Sequence, residues 1–125
     1  MITITQKGNF NNTERYLRKL SQPNLFAFLG KYATLGQNAL SNATPVESGE
    51  TAASWYYTIE ARPGYYSIRW HNRHVHHGIP IAVILQYGHG TGTGGYVQGR
   101  DYINPAIRPI FDQIVAEAMR EVTKV

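Results

Sequence analysis

Ser54-Trp55-Tyr56-Tyr57-Thr58-Ile59-Glu60-Ala61-Arg62-Pro63-Gly64-Tyr65-Tyr66-Ser67-Ile68-Arg69-Trp70-His71 is the stretch on which the fold turns. Trp55, Tyr57 and Ile59 alternate with Tyr56, Thr58 and Glu60, the period of a half-buried strand. Arg62-Pro63-Gly64 is a strong turn signal, and Tyr66, Ile68 and Trp70 then share one face of a returning strand. The pattern predicts a β-hairpin with its aromatic face toward a core.

Toward the N-terminus the pattern becomes helical. Thr13 is placed to cap a short helix over residues 14–20, with Tyr16, Leu17 and Leu20 on one face. A second helix follows Pro23, with Leu25, Phe28, Leu29, Tyr32, Leu35, Ala39 and Leu40 at three- and four-residue spacings. Gly30 and Gly36 each weaken it by about 1 kcal/mol relative to Ala, and as small residues they admit a close neighbour. Pro45 ends this half and Glu47-Ser48-Gly49 reads as a turn. Residues 2–5 alternate as a short strand.

Beyond the hairpin, Ile81-Ala82-Val83-Ile84-Leu85 fits either a buried strand or a short helix, and periodicity does not decide between them. Residues 88–99 hold six glycines and read as an irregular, mobile loop. Pro105 suits a helix's first turn, and Ile107, Ile110, Phe111, Ile114, Ala118 and Val122 trace one apolar face to the end. One domain of 125 residues is therefore expected. Its parts are an N-terminal strand and helices (1–43), a β-meander (54–87), the loop (88–99) and a C-terminal helix (105–124). The class is α+β, with helices on one face of a small antiparallel sheet.

Composition excludes several functions. With no cysteine there is no disulfide framework, zinc ribbon or thiolate nucleophile. No run is long and apolar enough for a membrane span, and no leader pattern is seen, so no membrane partner is expected. Five histidines (His71, His74, His76, His77 and His89) raise metal binding, because His74 and His76 two apart on a strand would face the same side. Yet no acid lies between Glu60 and Asp101, and Gln86 stands where a carboxylate ligand would fall. Residues 90–95 match G-x-G-x-x-G, but no helix N-terminus follows directly to meet a phosphate. No serine sits in a strained elbow, and the acids near the last helix serve a solvated face. The expectation is no enzyme, no cofactor and no small-molecule substrate.

Three segments resemble a small phage morphogenesis family, the head–tail joining or tail-completion (neck, minor capsid) proteins of long-tailed bacteriophages. Thr44-Pro45-Val46-Glu47-Ser48-Gly49 followed by Ser54-Trp55 is similar to the family's TPVDTG…S segment. Residues 81–91, ending Gln86-Tyr87-Gly88-His89-Gly90-Thr91, resemble its YA…E-F/Y-G-T segment. Arg100-Asp101-Tyr102-Ile103-Asn104-Pro105-Ala106 resembles its R-x-F/Y-I/L-x-P-A lead-in to the last helix. The chain departs from the family at Glu50-Thr51-Ala52, where basic residues are common, and at Gln86, where an acid is common. The resemblance covers roughly residues 39–125. It implies a virion neck subunit, assembled in the host cytoplasm into a ring between the head-side connector and the tail tube or tail terminator. Such a subunit acts by docking and loop ordering, with DNA at most a contact in the lumen. Pro45, Gly49, Gly88, Gly90 and Pro105 are then scaffold positions.

The docking residues follow from two loops, the glycine-rich segment 88–99, which a partner would order, and the tip 71–78, and from charge. The chain carries twelve Lys+Arg and eight Asp+Glu, a formal +4. Residues 61–100 hold Arg62, Arg69, Arg73 and Arg100, all five histidines and no acid, which leaves eight basic residues against eight acids elsewhere. The expected partner-binding set is Arg69, Arg73, His74, His76, His77, His89, Thr91, Gly92, Thr93, Tyr96 and Arg100, facing an acidic surface. The alternative is a small nucleic-acid-binding module built on Arg62, Arg69, Arg73 and Arg100 with Tyr65, Tyr66, Trp70 and Tyr96. Against it, Trp70 and Tyr66 also read as the core face of the sheet.

Overall fold

A computed structural model of the chain describes residues 11–20, 22–45, 49–62, 65–90 and 94–123. The N-terminal half is helical: α1 (Asn11–Lys19), α2 (Gln22–Ala43) and the single turn α3 (Gly49–Ala52). The hairpin follows as β1 (Trp55–Arg62) and β2 (Tyr65–Asn72), antiparallel, with Tyr57 opposite Trp70 and Ile59 opposite Ile68. A two-residue ladder, β3 (Val75–His76) with β4 (Ile79–Pro80), leads into α4 (Ile81–Tyr87). Strands β5 (Gly88–Gly90) and β6 (Tyr96–Gln98) pair as a ribbon, and α5 (Ile103–Thr123) closes the chain.

The expected α+β class is the observed one, with α2 and α5 packed against the inner face of the β1–β2 hairpin. At one end Leu17, Leu25, Phe28, Leu29, Ile110 and Ile114 join α1, α2 and α5. At the other, Leu40, Trp55, Trp70, Tyr102 and Ile107 join α2, the hairpin and α5. The aromatic face turns inward because burying each such side chain contributes about 1.5–3 kcal/mol. Trp70 is fully buried, its indole N–H donating to the Ala33 carbonyl at 2.9 Å and its ring meeting Phe111 edge-on. Across the helices, the Tyr32 hydroxyl donates to Glu117 Oε2 at 2.6 Å and Lys31 Nζ lies 3.1 Å from Oε1.

Several expectations change. The β structure does not continue through residue 87, since residues 81–87 are helical. Pro80 precedes that helix, Gly88 closes it with φ +86, and the Gly88 N–H bonds back to the Ile84 carbonyl. The glycine-rich segment is not irregular at its ends, which pair as β5 and β6. The last helix starts at Ile103, two residues before Pro105, and runs through the exposed Pro109. Thr13 lies buried inside α1 rather than capping it. Gly49 opens α3 with open space where a Cβ would sit, so that turn does not require glycine. The expected strand at 2–5, the centre of the Glu47-Ser48 turn, Pro63-Gly64 and residues 91–93 lie outside the described residues.

Candidate functional site

Docking chemistry depends on what the β elements leave uncovered. On the outer face of the hairpin Tyr56 stands opposite His71 with the rings stacked at 4.9 Å, and the Arg73 guanidinium lies 4.0 Å from the Tyr56 ring centre. His71 is buried, and its Nε2 shares a 2.9 Å hydrogen bond with the Thr58 hydroxyl. Burial, and then the charge of Arg69, hold its pKa below the ordinary value of 6.5. Arg69 is exposed across from Thr58.

The chain then turns a corner held by polar contacts. Asn72 Nδ2 donates to the Thr51 carbonyl at 2.8 Å, and Asn72 Oδ1 accepts from the His74 amide at 2.9 Å. His74 Nδ1 shares a 2.6 Å hydrogen bond with Thr51 Oγ1, and its Nε2 lies 3.4 Å from Glu50 Oε2. Hydroxyl, imidazole and carboxylate in series resemble a nucleophile relay. The Thr51 side chain is fully buried, however, so no substrate reaches that hydroxyl. The series ties α3 to the chain leaving β2.

Past the corner the β3–β4 ladder projects. His77 (φ +50) and Gly78 (φ +76) are its two turn residues, the conformation of a type I′ hairpin. Val75, His76, His77 and Ile79 are all exposed.

The most exposed aromatics among the described residues meet at the β5–β6 ribbon. Tyr87, the last residue of α4, is 67% and Tyr96, on β6, 63% exposed, and Val97 is exposed beside them. The root of the ribbon is closely packed. A Cβ at Gly88 would lie 2.5 Å from the Val97 carbonyl oxygen, and one at Gly99 would collide with the Tyr87 backbone. The Tyr96 hydroxyl donates to the Tyr87 carbonyl at 2.9 Å, and the Arg100 amide donates to the Leu85 carbonyl at 3.0 Å. At Gly90, by contrast, a Cβ would make only ordinary contact.

Beneath the ribbon Gln86 is buried. Its Nε2 donates to Asp101 Oδ1 at 2.7 Å, and its Oε1 accepts from the Tyr102 and Ile103 amides. The hydrogen bond from Gln86, with those from Asn104, holds Asp101 below the ordinary carboxylate value against the opposing effect of burial. A groove of about 550 Å³ opens between Ala39, Asn42 and Ala43 at the end of α2 and Tyr102, Pro105 and Ala106 at the start of α5; Arg100 and Asp101 also line it. Nearby, Thr44 ties together the two ends of the first resemblance segment: its hydroxyl donates to the Leu40 carbonyl at 2.6 Å and accepts from the Trp55 indole at 2.9 Å.

The expected partner-binding residues therefore spread over several elements. Arg69 and Arg73 sit on the hairpin's outer face, His74 at the corner, His76 and His77 on the β3–β4 tip, and Tyr96 on the ribbon. Arg100 lies beside the groove. The placements of the His89 and Arg62 side chains, and of Thr91, Gly92 and Thr93, lie outside the described residues. His74 does not join His76; its two nitrogens face Thr51 and Glu50, and His76 meets His77 instead. Among the described residues no three His, Asp or Glu side chains group as metal ligands. A base-stacking platform on Trp70 is not formed, because Trp70 is fully buried and Tyr66 packs against the core. Tyr87 and Val97, exposed beside Tyr96, were not among the expected docking residues, and Gln86, a lone polar residue closing an apolar run, was read only as standing where an acid would fall. No helix among the described residues is long and apolar enough to cross a membrane. Comparison with family models, with curated proteins and with solved structures finds no match for this chain.

Proposed function

We propose that the chain is a structural subunit of a bacteriophage neck, a ring component joining the head-side connector to the tail tube by docking. The observation that carries this reading is the β5–β6 ribbon. Its root is closely packed at Gly88 and Gly99, while Tyr96 and Val97 on β6 and Tyr87 at the end of α4 are turned to solvent. A ribbon closely packed at its root, with exposed aromatic and aliphatic side chains, suits a protein partner, which gains affinity by burying them. The three motif segments support the same reading, since their residues here are structural: Thr44 with Trp55, Gly88 at the ribbon root, and Asp101 at the start of α5. Ring closure would be heterologous, each subunit presenting two different surfaces.

Electron microscopy of particles assembled without the protein tests this. Tailless heads and free tails should accumulate. Supplying Val97→Asp, or the chain lacking residues 91–94, should not restore joining, although the purified variants melt like the parent. Normal tail attachment with either variant rejects the ribbon as the docking element. Normal attachment without the protein rejects the neck assignment itself.

A further inference from the structure

We propose that His76 and His77 form a two-imidazole chelate for a divalent transition-metal ion at the tip of the β3–β4 ladder. His76 ends β3 and His77 opens the turn, and their rings lie 4.1 Å apart, centre to centre, edge to face with planes at 77°. The left-handed backbone of His77, φ +50, accompanies this approach. That conformation is the one a type I′ turn requires at its first central residue, and His is among the side chains that adopt it more readily than most.

The ligand atoms are available. His74 has both nitrogens engaged, by Thr51 and Glu50, and buried His71 shares its Nε2 with Thr58. Among the described residues the rings of His76 and His77 have no hydrogen-bond or ion-pair partner, and both residues are exposed. Imidazole nitrogen suits copper, nickel and zinc, with Cu²⁺ the tightest. With metal–nitrogen bonds of about 2.0–2.1 Å, two ligating imidazoles stand about 4.5–5 Å apart between centres. Chelation therefore asks the exposed rings to separate by about 1 Å and to turn out of their edge-to-face contact until one nitrogen of each faces the ion. Two protein ligands leave the ion with open positions, so binding is reversible.

The test is calorimetric titration of the untagged full chain with Ni²⁺ and Zn²⁺ at pH 7.5, alongside histidine-ring NMR spectra. One ion should bind per chain, with Zn²⁺ shifting only the His76 and His77 rings. Loss of a group that merely orients a ligand costs about 10–100-fold in affinity, so His76→Gln and His77→Asn should each weaken binding at least about tenfold. Asn tolerates the left-handed backbone, so His77→Asn keeps the turn, and its melting temperature should match the parent's. Absence of binding by the parent chain, undiminished binding by His77→Asn, or loss of binding in His74→Gln instead would each overturn the site.

Discussion

Gln86 and Asp101 divide the first amides of α5 between them. The Gln86 oxygen accepts from Tyr102 and Ile103 at 3.0 and 3.1 Å, and Asp101 Oδ1 accepts from Asn104 at 3.4 Å. The Gln86 amide nitrogen joins the two caps by donating to Asp101 at 2.7 Å. A helix start has donors without intrahelical partners, and here one side chain from a different helix satisfies two of them.

Gln86→Leu strands the buried Tyr102 and Ile103 amides, at a cost of about 1–3 kcal/mol each. Gln86→Glu keeps an acceptor for them but sets a second carboxylate oxygen against Asp101. In the parent, Asp101 has a lowered pKa, so its contribution is present above the ordinary carboxylate range and lost as pH falls through the folded value. In Gln86→Glu the facing carboxylates raise each other's affinity for a proton, so the variant's loss of stability relative to the parent should shrink as pH drops from 7 toward 5. Thermal melts of both proteins at pH 5 and pH 7 check the sign. A difference from the parent that stays the same or widens at pH 5 refutes the pairing.

Two glycines of α2 should respond oppositely to the same substitution. At Gly30 a Cβ meets nothing within 4 Å, so Gly30→Ala should stabilise by about 1 kcal/mol through helix propensity alone. At Gly36 the added Cβ would meet the Trp70 indole, with Cε2 only 2.6 Å away. That ring is fully buried and held to the Ala33 carbonyl, so it has no room to retreat. Gly36→Ala should destabilise by about 1–3 kcal/mol from overpacking, less the propensity gain, and should shift the tryptophan emission. Equal melting temperatures for the two variants would remove the close approach from the account.

What was legible in the sequence was what periodicity reports. Trp55, Trp70, Ile107, Ile110, Ile114 and Ala118 are buried where the strand and helix repeats place them, because a repeat records which face leaves water. The run 81–85 was not legible as a helix. An apolar run fits both geometries, and the choice rests on its flanks, Pro80 and Gly88, and on the Tyr102 hydroxyl bonded to the Ala82 carbonyl twenty residues away. The β5–β6 ribbon left no alternation to read, since Tyr96, Val97 and Gln98 are all exposed. The early start of α5 was hidden because its cap, Gln86, comes from outside the helix. The expected docking residues were drawn from a charge pattern and a glycine-rich loop, and neither carries information on which elements are adjacent.

The last prediction concerns His71. Its ring is buried against Tyr56, its Nε2 is paired with Thr58, and its Nδ1 has no hydrogen-bond partner. Protonation would add charge in a buried place beside Arg69 and near Arg73, so the folded pKa lies below the unfolded value of about 6.5. Between those two values the unfolded chain binds more protons than the folded one. Stability therefore is fully present above the unfolded pKa, falls as pH drops below about 6.5, and levels off beneath the folded pKa. His71→Gln offers Thr58 an amide in place of Nε2 and cannot titrate. Urea midpoints followed by Trp55 and Trp70 fluorescence from pH 7.5 to 5.5 should decline in the parent and stay nearly flat in His71→Gln. Parallel declines would assign the pH dependence to other groups and leave the buried imidazole without a thermodynamic role.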